Sequence, residues 1–568
     1  MLHDLYTPQG EALTGTPWEV YPRPQMRRDS YLNLNGTWDF AVCQANQTPV
    51  YEKTIQVPFC PESRLSGIGA HFAEGSALWY RRKVFLPEGF VHGRVLLHVG
   101  AADQELSCYV NGQKVGSHAG GYEAMTFDIT DALASENEIA FVCFDDLRNK
   151  NYPYGKQTQY RGGMWYTPVS GIWQTVWLES VPQQHIEKLK IENRGYGVTI
   201  TTQPALEGTI LVEGLGEYPL NGGKAEIIPE NPHLWSPEDP YLYQFTLRTQ
   251  EDTLFSYFAI RRLEIQNRNG VSRLCLNGKP YFFHGLLDQG YWPDGLFTPA
   301  SPECYSQDIL EMKRLGFNTL RKHIKVEPEE FYYQCDKLGM VVFQDMVNNG
   351  EYNYLRDTIL PTFFSQHKRD KNPHNNKVTQ QAFLAGAQAA VQQLWNHPCI
   401  CYWTIFNEGW GQFDSDKVFR RFKKLDDTRF VDATSGWFRR KESDVESLHI
   451  YFGMWHRLRK SRRPIVLSEF GGFVYSEPEH IFHSGKAYGY GACKTRQELD
   501  ARLQDIYSKH VIPAIQKGLC GSIYTQVSDV EDEINGLLTY DRRICKPDQA
   551  GMLDIANRIR KAMEASTK

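Results

Sequence analysis

The sequence predicts a multidomain chain: a large β-sandwich, a small β-sandwich and a (β/α)8 barrel, in that order. Three features point there. Short strand-like runs split by turns fill residues 1–182, and a smaller set fills 183–262. From 263 to 568, buried-looking apolar runs alternate with helical patterns instead. A chain of 568 residues is also too long for one ordinary domain.

In the first region, Asn35-Gly36 turns into an aromatic-rich strand carrying Trp38 and Phe40. Strand-like runs follow at 77–85 and 95–100, and 107–110 meets Asn111-Gly112, the strongest short hairpin signal. Between 145 and 169 lies a loop-like stretch with Tyr154-Gly155-Lys156 and Gly163-Met164-Trp165-Tyr166. Long loops of this kind are often functional, so it is expected to reach toward the active site. The second region has strand-like runs at 197–200, 208–212 and 242–247, with Pro229, Pro232, Pro237 and Pro240 ahead of the last.

The third region opens its first helix at Ser301-Pro302 and closes it at Gly316, before the strand 317–320. Pro328 opens the next, which closes at Gly339 before 340–343. Thr495 and Glu498 have the spacing of a capping box, and Leu499, Leu503, Ile506 and Tyr507 give that helix an apolar stripe.

Composition excludes several classes. A net charge of −5 gives no reason to expect nucleic acid or an anionic membrane surface, and no apolar run has membrane-span length. Twelve scattered cysteines form no metal-type pair, and the first residues carry neither a basic nor an apolar leader. A cytoplasmic setting is expected. Self-assembly into a homo-oligomer is left open.

Two stretches carry the chemistry. The apolar run from Cys401 to Phe406 ends in Asn407-Glu408-Gly409, and the run from Ile465 to Leu467 ends in Ser468-Glu469-Phe470-Gly471. A carboxylate at the mouth of a buried strand is costly without a partner or a task. Singly, each is as well explained by a strand-end ion pair. Two in the same setting suit glycoside hydrolysis, in which one carboxyl protonates the leaving oxygen and the other attacks carbon or activates water.

Here a resemblance becomes specific. The motifs at 406–410 and 468–472 resemble the acid/base and nucleophile motifs of family two glycoside hydrolases, which include β-galactosidases, β-glucuronidases and β-mannosidases. Asn35-Gly36-Thr37-Trp38, Trp79-Tyr80-Arg81-Arg82 and the run 170–179 resemble that family's sugar-binding jelly roll. The resemblance implies a jelly roll over 1–182, an immunoglobulin-like spacer over 183–262 and a catalytic barrel over 263–568. Its eight strands would fall at 281–284, 317–320, 340–343, 399–406, 429–433, 445–451, 464–468 and 519–524. With little helical pattern at 437–444, one barrel helix is expected to be missing or vestigial.

The resemblance implies a retaining exo-glycosidase acting on a carbohydrate, with Glu408 as acid/base and Glu469 as nucleophile. Strand ends nominate Asp288, Arg321, His323, Asp345, Asn407, His449, Tyr451, Tyr524 and Gln526 as substrate-binding. Asn407 would hold the hydroxyl beside the reacting carbon, Arg321 would keep Glu469 ionised, and Tyr524 would floor the sugar site. The loop 348–377 would shape the aglycone side. A β-galactoside is the expected substrate, with β-glucuronide or arabinoside as alternatives. Family glucuronidases carry Asn-x-Lys where this chain has Asn535-Gly536-Leu537, so Lys322 or Lys546 would have to substitute. The family's β-galactosidases often hold magnesium, but no ligand set is assignable and no cofactor is expected. A non-catalytic carbohydrate-binding protein is the competing class.

Overall fold

A computed structural model describes residues 2–566 except 45–46, 74, 361–369, 371–375, 437, 439 and 452. The first sandwich packs a four-stranded sheet against a six-stranded one, all antiparallel. Trp38, Phe40, Tyr80 and Phe141 are buried between the sheets. The Asn111-Gly112 turn joins Glu105–Val110 to Gln113–Ala119, with φ values of 51° and 80°. The second sandwich has sheets of three and four strands around Ile200, Val212, Phe245 and Leu247.

The barrel does not begin at 263. A three-stranded antiparallel meander comes first: Leu263–Arg268, Val271–Leu276 and Lys279–Pro280. Its turns are Asn269-Gly270 and Asn277-Gly278, all four at positive φ. Arg273 is buried and donates to the carbonyl of Ile515 (2.7 Å), fastening the meander to the barrel.

The barrel strands, labelled β1–β8 in chain order, are Phe283–Asp288, Thr319–Lys322, Val341–Asp345, Ile400–Asn407, Phe430–Ser435, Glu446–Ile450, Ile465–Gly471 and Leu519–Thr525. All eight expected strands are present. The first starts later than expected because the Tyr281 N–H pairs with Leu274 of the meander. The parallel ladder runs β5-β4-β3-β2-β1-β8-β7-β6 and is not closed between β5 and β6. There the Asp444 carboxylate accepts from the Val431 N–H (2.9 Å) and the Ser443 hydroxyl oxygen from the Ala433 N–H (3.2 Å). Side chains thus take over backbone groups that a ladder would otherwise satisfy.

Helices follow β1, β2, β3, β4, β7 and β8. Among the described residues none follows β5, as expected, and β6 is followed only by the short turn Trp455–Arg457. Among the described residues two barrel helices are therefore lacking or vestigial, where one was expected. Among the same residues, no helix is long and apolar enough to cross a membrane.

The second sandwich is fastened where β4 begins. Asp336, fully buried on the helix after β2, accepts from the Tyr257 hydroxyl (2.8 Å) and the Cys399 N–H (2.7 Å) and pairs with His397 (2.7 Å). Arg261 donates to the carbonyls of Pro398 (2.6 Å) and Ile400 (2.8 Å). Removing one partner from such a buried cluster strands the others. Asp336→Ala is expected to lose about 3 kcal/mol of stability and Tyr257→Phe about 1 kcal/mol, read from denaturant unfolding. Similar small losses for both would contradict this account of the junction.

Candidate active site

Strand β4 ends at Asn407, and Glu408 is the first residue beyond it. Glu408 has φ 53°, a left-handed conformation that costs a non-glycine residue on the order of 1 kcal/mol and clusters at functional sites. Its N–H donates to the Ser435 carbonyl at the end of β5 (2.9 Å). Gly409 continues the turn at φ 73°, and a Cβ there would lie 2.0 Å from the Phe438 ring. The turn is thus fixed by a packing constraint on its glycine, and it aims the Glu408 side chain across the barrel mouth.

Glu469 lies inside β7 and is 5% exposed. Arg321 Nη1 donates to its Oε1 (2.9 Å), and the Tyr451 hydroxyl donates to its Oε2 (2.6 Å). Arg321 uses its remaining donors with equal economy. Nε donates to Asp345 Oδ1 (2.9 Å), Nη2 to Asn407 Oδ1 (2.9 Å), and Nη1 also to the Ser468 carbonyl (3.0 Å). His323 Nδ1 lies 2.8 Å from the other Asp345 oxygen. His449 stands between the glutamates, Nδ1 at 2.9 Å from Glu408 Oε1 and Nε2 at 3.4 Å from Glu469 Oε1. Ligand-type atoms of Glu408, His449 and Glu469 all lie within 4.8 Å of one another.

Electrostatics follow from this wiring. Burial alone pushes the Glu469 carboxyl up, but His449, Arg321, His323 and the Tyr451 hydroxyl outweigh it and hold the group below the ordinary glutamate value. Burial likewise raises the Tyr451 phenol, and the charge of Glu469 raises it further, so it remains a donor.

Family models match most of this chain. The sugar binding domain of glycosyl hydrolases family 2 matches 68–182, a second model described as glycosyl hydrolases family 2 matches 178–261, and the family's TIM barrel domain matches 266–476. The chain belongs to glycosyl hydrolases family 2. It is 25% identical over 495 residues to a β-galactosidase of Thermoanaerobacter pseudethanolicus, covering 79% of this chain and 62% of that one. It is 24% identical over 507 residues to a β-glucuronidase of Chlorocebus aethiops, covering 77% and 74%. The solved structure of a β-glucuronidase from an uncultured Clostridium shares its fold, with a TM-score of 0.73, 18% identity and coverage of 94% and 99%.

Not every residue expected in this family 2 site joins the group. Asp288 is committed elsewhere: it accepts from Lys322 Nζ (2.6 Å) and from the Gly290 N–H (2.9 Å). Lys322 also donates to Glu327 (2.8 Å), so neither Lys322 nor Asp288 is a free binding group. Tyr524 is fully buried, wedged against Phe470 and Phe473, and its hydroxyl accepts from the Phe473 N–H (3.1 Å). A ring with no exposed face cannot floor a sugar, which corrects the stacking role expected for it. Gln526 is buried and donates to Asn535 (2.8 Å), which donates to Glu533 (3.0 Å).

Other residues at the mouth were not foreseen. Tyr490 stacks on Tyr451 with ring centroids 3.9 Å apart, and its hydroxyl lies 3.4 Å from that of Tyr488. The alternation Tyr488-Gly489-Tyr490-Gly491 was a usable signal for a glycine-hinged aromatic loop. The stretch 145–169 does reach the barrel: Trp165 meets Trp410 edge-on (5.3 Å), and the Tyr166 hydroxyl donates to Glu533 (2.5 Å). Of the loop 348–377, residues 361–369 and 371–375 lie outside the described residues.

The magnesium associated with family β-galactosidases does not fit these residues. Glu408, His449 and Glu469 are the one group of possible ligands this close among the described residues. Magnesium wants oxygen ligands, whereas here Arg321 already balances Glu469 and each ring nitrogen of His449 faces protein atoms.

The depressed Glu469 carboxyl has a pH consequence. A carboxyl lowered in the folded state adds stability above its unfolded value of 4.5, lost as pH falls through the lowered folded value. The acidic limb of activity should therefore lie below 4.5 if Glu469 sets it. Arg321→Met is expected to move that limb up by roughly one to three pH units, the effect of removing a cation beside a carboxylate. A pH–rate profile with an unmoved acidic limb in a folded variant would contradict the assignment.

Proposed function

We propose that the protein is a retaining exo-glycosidase working by double displacement. Glu469 attacks the anomeric carbon while Glu408 gives a proton to the departing oxygen. A water deprotonated by Glu408 then attacks the same carbon, and the bond to Glu469 breaks. The observation that carries this reading is the close approach of the two carboxylates, with oxygens within 4.8 Å. Retaining enzymes hold their carboxyls about 5–5.5 Å apart, and inverting ones need roughly 6.5–9.5 Å.

The surrounding contacts support the same roles. Arg321 and Tyr451 donate to both oxygens of Glu469, keeping it ionised for attack and stabilising it again as a leaving group. Asn407 spends its oxygen on Arg321, so its amide N–H is left as the donor for the sugar hydroxyl beside the reacting carbon. A non-catalytic carbohydrate-binding role would need neither the paired carboxylates nor the cation that charges one of them. All twelve cysteines are free thiols, which suits the cytoplasmic setting expected from sequence.

A neutral sugar of the β-galactoside kind is the favoured substrate. A uronate would bring a further carboxylate beside Glu408, Glu469 and Glu533. The two lysines that could have answered it are buried in ion pairs, Lys322 with Asp288 and Lys546 with Asp529 (2.6 Å each). One observation favours β-glucuronide as the second reading. Lys156, half-buried on the loop that reaches the mouth, acts electrostatically on both His323 and Glu533.

A panel of nitrophenyl β-galactoside, β-glucuronide, α-arabinoside and β-mannoside tests the substrate. The galactoside should turn over fastest. A preference for the glucuronide that Lys156→Met abolishes would install the second reading. Glu408→Ala should lose about 10²–10⁴-fold in glycosylation on substrates with poor leaving groups and far less in that step on activated aryl glycosides, whose turnover, limited by release of the sugar from Glu469, azide should recover. Equal losses on both, with no azide effect, would remove Glu408 from the mechanism.

A further inference from the structure

His449 was expected to touch substrate, but its surroundings give it another task. The side chain is fully enclosed, at 0% exposure. It reaches its place through an irregularity in the β6–β7 register between Leu448 and His449, of the kind that re-aims a side chain next to an active site. Gly436, at φ 85°, lies flat against the ring, and a Cβ there would come within 2.7 Å of Nδ1. The imidazole is therefore clamped between β5 and β7.

Its two nitrogens see different partners. Nε2 faces Arg321 Nη1 at 3.4 Å and the Ser435 hydroxyl at 2.8 Å. Nδ1 faces a carboxyl oxygen of Glu408, so it carries a ring hydrogen whether Nε2 accepts from the Ser435 hydroxyl or is itself protonated toward Glu469 Oε1 at 3.4 Å. That hydrogen points at Glu408 Oε1, 2.9 Å away. Oε1 then accepts from an N–H and has no room for a proton on the same side. The acid proton of Glu408 is left to Oε2.

We infer that His449 is a positioning residue that confines the catalytic proton to Glu408 Oε2 and stabilises the carboxylate formed when that proton leaves. The inference rests on the reading of Glu408 as acid/base. As the bond from carbon to the leaving oxygen breaks, the Oε2 proton passes to that oxygen. The negative charge left on Glu408 is met at Oε1 by the Nδ1 hydrogen, in a charge-assisted bond stronger than the neutral one before transfer. That difference between ground and transition state is what accelerates a step. In the second displacement Oε2 takes a proton from water while Oε1 stays held.

The test compares His449→Ala, His449→Gln and His449→Asn with Glu408→Ala, using a dinitrophenyl glycoside and an alkyl glycoside of the same sugar. The Asn amide places a donor near the Nδ1 position; the Gln amide, one carbon longer, places it near Nε2. His449→Ala and His449→Gln should lose about 10²-fold in kcat on the alkyl glycoside, less than about 10-fold on the dinitrophenyl one, with KM little changed. His449→Asn should recover most of the loss. A rise in KM at constant kcat would make His449 a substrate contact and overturn the inference. So would equal losses on both substrates, or a Gln variant as active as Asn. If Glu408→Ala itself showed no dependence on leaving group, the acid/base reading would fail first, and the two failures are thus separable.

Discussion

The site depends on one guanidinium. Arg321 projects from β2 into the barrel mouth and donates to Asp345 of β3, Asn407 of β4, and Glu469 with the Ser468 carbonyl of β7. A buried cation with so many acceptors is stable only because each is present, since an unpaired charge there would cost several kcal/mol. The same contacts set the chemistry. The Glu469 carboxyl is held below the ordinary glutamate value by His449, Arg321, His323 and the Tyr451 hydroxyl together, and Asn407 is turned by Arg321. Asp345 matters chiefly because it fixes the Nε edge of the guanidinium and the ring of His323.

The barrel supplies the carboxylates, but it does not enclose the site alone. The first sandwich sends Trp165 against Trp410 and Tyr166 to Glu533. The loop after β7 adds Tyr490, stacked on the tyrosine that holds Glu469. The site is thus assembled from loops of two domains, as befits a scaffold whose loops carry specificity. On the other side, the gap between β5 and β6 lacks a helix among the described residues. The strand ends come together there through Ser443 and Asp444, and His449 is threaded between the glutamates.

What was legible in the sequence has a physical reason. Glu408 and Glu469 stood out because a carboxylate ending a buried apolar strand demands explanation. The eight strands were readable because strands buried on both faces are continuous apolar runs. The meander at 263–280 was missed although its two Asn-Gly turns announced it; the change of pattern drew attention to the helices instead. Facing was the harder question. Tyr524 near the end of β8 and Tyr451 just past β6 both sit at the mouths of buried strands, and nothing local says that one ring is sealed in the wall while the other's hydroxyl reaches Glu469. Lys322 was left open for the same reason, because its partners Asp288 and Glu327 come from different turns of the barrel mouth. The roles of His449 and Tyr490 depend on contacts between strands and loops distant in sequence, which no spacing encodes.

The central claim is that Glu469 is the atom source of a covalent bond to the sugar. A slow fluorinated glycoside of the preferred sugar, incubated with the protein and followed by proteolysis and mass spectrometry, tests it directly. The account predicts one added sugar on the peptide carrying Glu469, with none after Glu469→Gln. A label on Glu408 or Asp345, or a first product of inverted configuration without any label, would contradict it.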